Sequence, residues 1–528
     1  MRTVFMAILA IPLIASSTAV AAPGDVESRT ATSLGNPTGL AWTGSTLWMA
    51  DRGTDMFYEV DISTGAVTDS LTSPGWFPSG LAWHDGLLWS TDPGTGRIYA
   101  TDPSRGLTVK TIESPVPSPT GIAWNGDRLW ISDNREDVIM MIDPEDGTTI
   151  ESFRAPAGDT RGIVFGGGRL WCADRMRDEI YMVDAGNGMV VMILEAPGEF
   201  PWGLSWKDSS LLVSDYQEDA VFALRTADDE HFVTSDPRKA RVAFLTEAVP
   251  VGTGTVESLS IYYAVPGQRE GQRILDGPYF EPRPKFVEDE WGQRIAAFEF
   301  AGLAPGSGVE VSMEVDVEVS AVRYFLDPGR VGGEIPDDIA EAYLADEVKY
   351  DIHHPYVQGL VEEIAGDEEN LYWKARKLYQ YLIENMEYEM VGGWNTAPTV
   401  LKRKTGSCSE YTFCFIALCR AAGVPARYVG SLVVRGDDAS YDDVFHRWNE
   451  VYLPGYGWVP VDANAGDKRL PADQGRAFGG ISNRFLITTE GGGGSKYLGW
   501  SYNHMNRWIT SGKCDVRTES VAEWEPME

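Results

Sequence analysis

A step of 41 residues constrains this chain more than any other feature. Gly39, Gly80, Gly121, Gly162 and Gly203 are each 41 apart, and so are Trp48, Trp89, Trp130 and Trp171, with Leu212 in the fifth slot. Asp51, Asp92, Asp133, Asp174 and Asp215 keep the step, as do Asp61, Asp102, Asp143 and Asp184. Each unit reads as a Gly-Leu-Ala-Trp-like strand, a turn, a Leu-Trp-x-x-Asp strand, a second turn and an Ile-Tyr-x-x-Asp strand. A fourth strand, such as 148–153, precedes the next unit. Four short strands repeating about every 40 residues cannot bury their apolar faces alone, and stacking them around an axis gives a β-propeller. Shifting Gly65-Ala66-Val67 back by one step gives Gly24-Asp25-Val26, so residues 24–34 carry a fourth-strand pattern without three strands of their own. The fifth unit, Pro201 to Arg225, has three strands and no clear fourth. An N-terminal strand that completes it closes the ring and leaves no free sheet edge. The expectation is a five-bladed β-propeller over residues 24–226. A sixth blade recruiting residues 227–237 is the alternative.

An aspartate that ends the same strand in every unit reads as an acceptor for backbone N–H groups of the following turn, not as a metal ligand. The Trp series reads as core between blades. These repeats resemble NHL-type propellers. That resemblance implies a fold and a surface suited to a protein partner, not an activity.

At 528 residues the chain exceeds one core and calls for roughly three or four domains. With 78 acidic and 44 basic residues its net charge is -34, which excludes nucleic acid as a partner and disfavours an anionic membrane surface. Residues 1–21 have the form of an export signal: Arg2, an apolar run from Val4 to Ile14, and a small-x-small site at Ala19-Val20-Ala21. The run is too short to span a bilayer, and nothing downstream predicts membrane insertion. The expected location is secreted or periplasmic. Five cysteines leave at least one thiol outside any intramolecular pairing, and Cys408 is the candidate functional thiol. Cys414 and Cys419 read as buried helix residues and Cys172 as core. Cys514 falls in the C-terminal segment, where a bridge is open but not required.

Beyond the repeats the periodicity changes. Val309, Val311, Met313, Val315, Val317 and Val319 alternate with polar residues, a long half-buried strand, and 257–265 reads as another. A small antiparallel β-sandwich over 238–326 is expected, serving as a spacer or one wall of a cleft. Helices begin after Asp327-Pro328-Gly329. Leu371, Ala375, Leu378, Tyr379, Leu382, Ile383 and Met386 mark one apolar helix face. Ser407 and Glu410 form a capping box that makes Cys408 the first residue of the next helix, which Gly423 and Pro425 stop. A thiol there meets unpaired N–H groups and the positive end of the helix dipole, which favour the thiolate. Lys402, Arg403 and Lys404 just upstream read as a solvated surface.

His446 and Asp462 complete a nucleophile–base–orienter set with Cys408, the minimum for covalent acyl transfer. The segments 445–453 and 458–462 read as a hairpin around Pro454-Gly455-Tyr456-Gly457. For both side chains to share a face the register must be even, for example with Trp448 opposite Asp462, so an odd-length loop or a bulge is predicted. The segments GSCSEYTFCFIALCRAAGVPARYVG, FHRWNEVYLPGYGWVPVDAN and FGGISNRF resemble the transglutaminase-like superfamily, related to papain-like thiol enzymes. The resemblance covers residues 330–490 and implies an α+β catalytic domain with Cys408, His446 and Asp462 as its triad. It also implies that the upstream sandwich is Ig-like. Trp394 and Trp448 are the candidates for oxyanion or subsite roles. The implied activity is cysteine-dependent acyl transfer on amide bonds of proteins or peptides, as a thiol peptidase or amidohydrolase. The alternatives are a protein-glutamine cross-linking transglutaminase, and a propeller-based binding protein with an inactive thiol domain. No cofactor or metal is expected. Residues 491–528 read as a C-terminal tail.

Overall fold

The computed structural model describes residues 22–227, 230–390 and 394–528, so the expected export signal at 1–21 lies outside the described residues. The 41-residue units fold into four-stranded antiparallel sheets. In the first, Pro37–Trp42, Leu47–Asp51, Met56–Asp61 and Ala66–Thr72 lie in chain order, and three more such sheets follow through Val190–Glu195. The fifth contains Pro201–Lys207, Ser210–Asp215 and Ala220–Arg225. Its outer strand is Val26–Ala31, which pairs with Ala220–Arg225 from Val26 opposite Leu224 to Ala31 opposite Ala220. Residues 232–237, weighed above for a sixth blade, instead begin the strand Phe232–Gly252, which pairs with Val309–Tyr324 outside these sheets.

The glycine step has a steric cause. A Cβ on Gly39 would lie 2.5 Å from the Leu81 nitrogen, and one on Gly80 2.6 Å from the Thr120 oxygen. The same contact runs from Gly121 to the Arg161 oxygen (2.8 Å), from Gly162 to the Trp202 oxygen (2.2 Å) and from Gly203 back to the Thr38 oxygen (2.1 Å). Each innermost strand abuts the next at a distance only glycine permits, and the last abuts the first. The five sheets therefore close into a ring. Trp48, Trp89, Trp130 and Trp171 are buried, and Trp48, Trp89 and Trp130 pack against the following sheet. The aspartates serve their turns: Asp51 Oδ1 accepts from the N–H groups of Gly53 (2.8 Å) and Thr54 (3.0 Å), and Asp133 and Asp215 repeat the pattern.

Next to the ring lie two antiparallel sheets packed face to face. One has the order Gln272–Glu281, Val309–Tyr324, Phe232–Gly252, Cys514–Pro526, Ser440–Asp442. The other has Lys285–Glu288, Arg294–Leu303, Thr255–Ala264, His504–Ser511. Val242, Phe244, Met313 and Val315 of the first meet Leu259, Ile261, Tyr263 and Phe298 of the second. The segment 491–528, set apart above as a tail, supplies a strand to each sheet. Val516, Ala522 and Trp524 point inward and are buried. Thr518 and Ser520 occupy inward slots between them, and Ser520 bonds Thr246 at 2.8 Å. Those two small polar residues dilute the apolar alternation that otherwise marks a strand.

The third layer sets the helices Pro355–Ala365, Leu371–Asn385, Ala397–Arg403 and Cys408–Ala421 against a sheet ordered Gly457–Val461, His446–Leu453, Ala426–Val433, Phe485–Gly491. Its core is continuous with the ring: Phe413 and Leu418 belong to the same apolar cluster as Ile180 and Phe222. Arg177 with Asp473 (2.5 Å), Arg476 with Glu179 (2.7 Å) and Arg169 with Asp327 (3.0 Å) tie the ring to the rest. No helix among the described residues is long and apolar enough to cross a membrane.

Candidate active site

Cys408 opens the helix Cys408–Ala421, as the capping residues predict. Ser407 precedes it in extended conformation, and Glu410 accepts from the Ser407 N–H at 3.2 Å. The buried Glu410 carboxylate also takes Arg403 (2.9 Å) and the Asn395 N–H (2.9 Å), so it fixes the loop carrying Trp394 against the helix start. Arg403 is thus a structural partner, whereas Lys402 and Lys404 stand on the surface. Every residue from Ser409 to Arg420 is buried, so the helix is central and its first turn is held rigidly.

His446 starts the strand His446–Leu453, which pairs with Gly457–Val461 from Asn449 opposite Val461 to Leu453 opposite Gly457. The connecting loop is three residues, Pro454 to Tyr456, and the register is the even one predicted. It continues Trp448 toward Asp462, one residue past the strand. Phe445, directly before His446, has φ +61, a strained conformation for an aromatic residue. Asp442 holds it by accepting from the Phe445 N–H at 3.2 Å while a bidentate Arg435 (2.9 and 3.1 Å) neutralises Asp442. Asp442 and Phe445 carried no sequence signal, because the strain becomes visible only in backbone angles.

The structure brings the three predicted residues together. His446 Nε2 lies 2.6 Å from Asp462 Oδ2, and Asp462 Oδ1 accepts from the Ala465 N–H at 2.9 Å. The His446 side chain also hydrogen-bonds Cys408, leaving Nδ1 as the nitrogen that faces sulfur. Burial works to raise the Cys408 pKa, but the His446 hydrogen bond and charge, with the Arg447 backbone N–H, bring it below the ordinary thiol value. Burial works to lower the His446 pKa, and the Asp462 carboxylate and Cys408 override it, raising the imidazole to about 10. The favoured resting state is a thiolate–imidazolium pair. Cys172, Cys414 and Cys419 are pushed the other way by burial, and all five cysteines are unbridged.

A cavity of about 700 Å³ opens on the Asp462 side of the imidazole. His446, Trp448 and Asp462 stand in its wall; Cys408 does not. Val322 and Arg323 of the face-to-face sheets, Ile481 and Phe485 of the FGGISNRF segment, and Glu179 of the ring complete it. Trp448 is buried and stacks on His446 at 5.7 Å, with Phe485 against the imidazole at 5.5 Å, so the two rings fix the plane of the imidazole. Trp394 is not in that wall; its indole meets Arg447 (5.1 Å) and Tyr502 (6.4 Å), and its carbonyl accepts from Lys349.

Sequence reasoning missed Arg447. Its side chain is fully buried beside Cys408 and His446, donates to the Trp500 carbonyl at 2.7 Å, and is enclosed by Trp394, Phe413, Tyr428 and Tyr502. The cage is assembled from four distant segments, so no local pattern announces it.

Residues 358–463 match the model of the transglutaminase-like superfamily. Over 156 residues the chain is 30% identical to an uncharacterized protein of Haemophilus influenzae, a stretch that covers 24% of this chain and 42% of that protein. Over 99 residues it is 29% identical to a peptide-N(4)-(N-acetyl-beta-glucosaminyl)asparagine amidase of Macaca fascicularis, covering 18% of this chain and 14% of that one. The chain thus spans less than half the length of these curated relatives. Among solved structures it is similar to a presumed cysteine protease from Cytophaga hutchinsonii, with 17% identity and a TM-score of 0.39, covering 56% of this chain and all of that one.

Proposed function

We propose, from the transglutaminase-like domain that this chain carries at residues 358–463, that the protein is a cysteine-dependent amidohydrolase of proteins or peptides. The observation that carries the reading is His446, bonded to Asp462 through one nitrogen and to Cys408 through the other. Cys408 thiolate attacks the amide carbonyl, and the carbonyl π pair moves to oxygen beside the free N–H groups of the helix start. The C–N bond then breaks as the His446 imidazolium gives its proton to the departing amine. The thioester that remains is resolved by water, which passes a proton to the now neutral imidazole; the acid leaves and the thiol pair is restored. Asp462 holds the ring and its charge throughout. Trp448 orients the base in this scheme. The amidase relatives, by their printed name, support hydrolysis over cross-linking.

The five-sheet ring is read as an NHL-type five-bladed propeller and the two facing sheets as an Ig-like sandwich, both presenting substrate to an extracytoplasmic thiol. The test is mass spectrometry of peptide pools incubated with the protein and with Cys408→Ala. Cleaved amides with one added water, lost in the variant, are expected. Ammonia release with a new isopeptide bond points to the cross-linker, and modification that survives Cys408→Ala overturns the enzymatic reading.

A further inference from the structure

Two positions of the 41-residue repeat do not repeat, and both converge on one mouth of the ring. The slot before each glycine holds Thr38, Ser79, Thr120, Arg161 and Trp202; the slot after each aspartate holds Arg52, Pro93, Asn134, Arg175 and Tyr216. Trp202, from the fifth sheet, reaches Ser79 of the second through its indole N–H at 3.4 Å, so it lies across the axis. Three guanidinium groups surround it: Arg161 at 4.6 Å, Arg175 at 5.5 Å and Arg52 at 5.8 Å from the ring. A cavity of about 340 Å³ opens there between Thr38, Arg52, Arg175, Trp202 and Tyr216.

The guanidinium donors are not all paired. Asp159, almost fully buried, takes Arg161 at 2.6 Å and Arg175 at 2.8 Å. Arg52 has no carboxylate partner among the described residues and rests only on Phe77 and Trp202. Arg161 Nε is buried with no hydrogen-bond partner among the described residues. Asp51 and Asp174, at the same mouth, are occupied by backbone N–H groups. Among the described residues, Asp159 is thus the one carboxylate in ion-pair contact with these three guanidiniums, and it leaves several of their N–H donors without an anionic acceptor. Free guanidinium donors suit an anion, and guanidinium forks fit a carboxylate in two-point geometry. The indole and phenol rings supply apolar walls for the carbon skeleton behind it.

We infer that this axial mouth is a carboxylate-binding site that takes an acidic side chain or the C-terminus of a peptide. The site stands apart from the thiol chemistry, yet the two are connected. The turn that carries Arg175 to the mouth carries Arg177 to Asp473, and Glu179 just beyond lines the cavity at His446. A peptide anchored at the mouth is thus held on the side of the ring where the cleft opens.

The test is calorimetric titration of the full chain bearing Cys408→Ala, which removes turnover. Three acetylated tetrapeptides serve as probes: a C-terminal amide containing Glu, its Gln counterpart, and an uncharged peptide with a free C-terminal carboxylate. The expected result is binding of at least one carboxylate peptide and none of the neutral one, with affinity falling about tenfold or more in Arg52→Gln. Arg52 is exposed and in no ion pair among the described residues, so the variant's melting temperature should be unchanged. The stronger of the two carboxylate peptides identifies the source. Equal binding of the Gln peptide, no binding of any peptide, or affinity unmoved by Arg52→Gln overturns the assignment and leaves the arginines as an axial plug only.

Discussion

Replacing Asp462 with Asn keeps the shape of the His446 contact and removes its charge. The imidazole stands at about 10 against an ordinary 6.5. At about 1.4 kcal/mol per pH unit, that gap corresponds to roughly 5 kcal/mol of interaction favouring the charged ring. Asp462 is the largest favourable contributor, ahead of Cys408. An opposite charge in contact is worth about 1–3 pH units, so the imidazolium of Asp462→Asn should titrate near ~7–9. The sign follows for sulfur. Once the ring is neutral it no longer favours the thiolate, so the Cys408 pKa rises where the ring has lost its proton, and thiolate in that range falls about tenfold for each unit of that rise. Iodoacetamide alkylation reads this without any substrate, with rates followed by peptide mass mapping from pH 4 to 10. Cys172, Cys414 and Cys419 are buried and disfavour the thiolate, so Cys514→Ser suffices as background. The parent should react from acidic pH upward, and Asp462→Asn should reach the same rate only at higher pH. Superimposable profiles would refute the coupling of Asp462 to Cys408 through His446.

The remaining expectations concern activity and stability. Activity against any amide found by mass spectrometry should have an alkaline limb near pH 10, set by loss of the His446 proton, and an acid limb below the ordinary thiol range. Gly162→Ala should cost about 1–3 kcal/mol in urea unfolding, because its methyl meets the Trp202 carbonyl at 2.2 Å between two backbones. Arg269→Ala leaves the buried Glu450 with Arg427 alone and should cost about 3–5 kcal/mol in the same assay. Burial opposes the charge on Glu450, but Arg269 and Arg427 hold its pKa below the usual 4.5. That network therefore stabilises the fold above pH 4.5 and loses its contribution as pH falls below it, visible as acid-shifted melting in the parent and not in Arg269→Ala.

What could be read in advance was whatever leaves a local or periodic mark. The glycine step is legible because each glycine meets the same neighbour, and the cap at Ser407 and Glu410 because its residues are three apart. The even register of the hairpin followed from requiring His446 and Asp462 on one face. What escaped depends on distant segments meeting. Arg447 looks like a surface residue between His446 and Trp448 until four aromatic rings close on it. Arg52 and Arg175 look like turn residues until the ring places them on one mouth. The strand Cys514–Pro526 was obscured by Thr518 and Ser520, whose small side chains pack inward yet read as polar.

That strand lies between Phe232–Gly252 and Ser440–Asp442, so the middle of its sheet waits on residues more than 250 positions downstream of their partners. Val26–Ala31 likewise waits for Ala220–Arg225. Both pairings demand closure of very long loops before any contact rewards them, which makes them late and slow steps of folding. A nascent chain can therefore close its ring once Ala220–Arg225 has been made, but the scaffold beside its thiol waits for Cys514–Pro526. The surroundings of the Cys408 sulfur are complete only after Cys514–Pro526 has joined its sheet, and the interval before that is when the protein is most exposed to oxidation and misassembly.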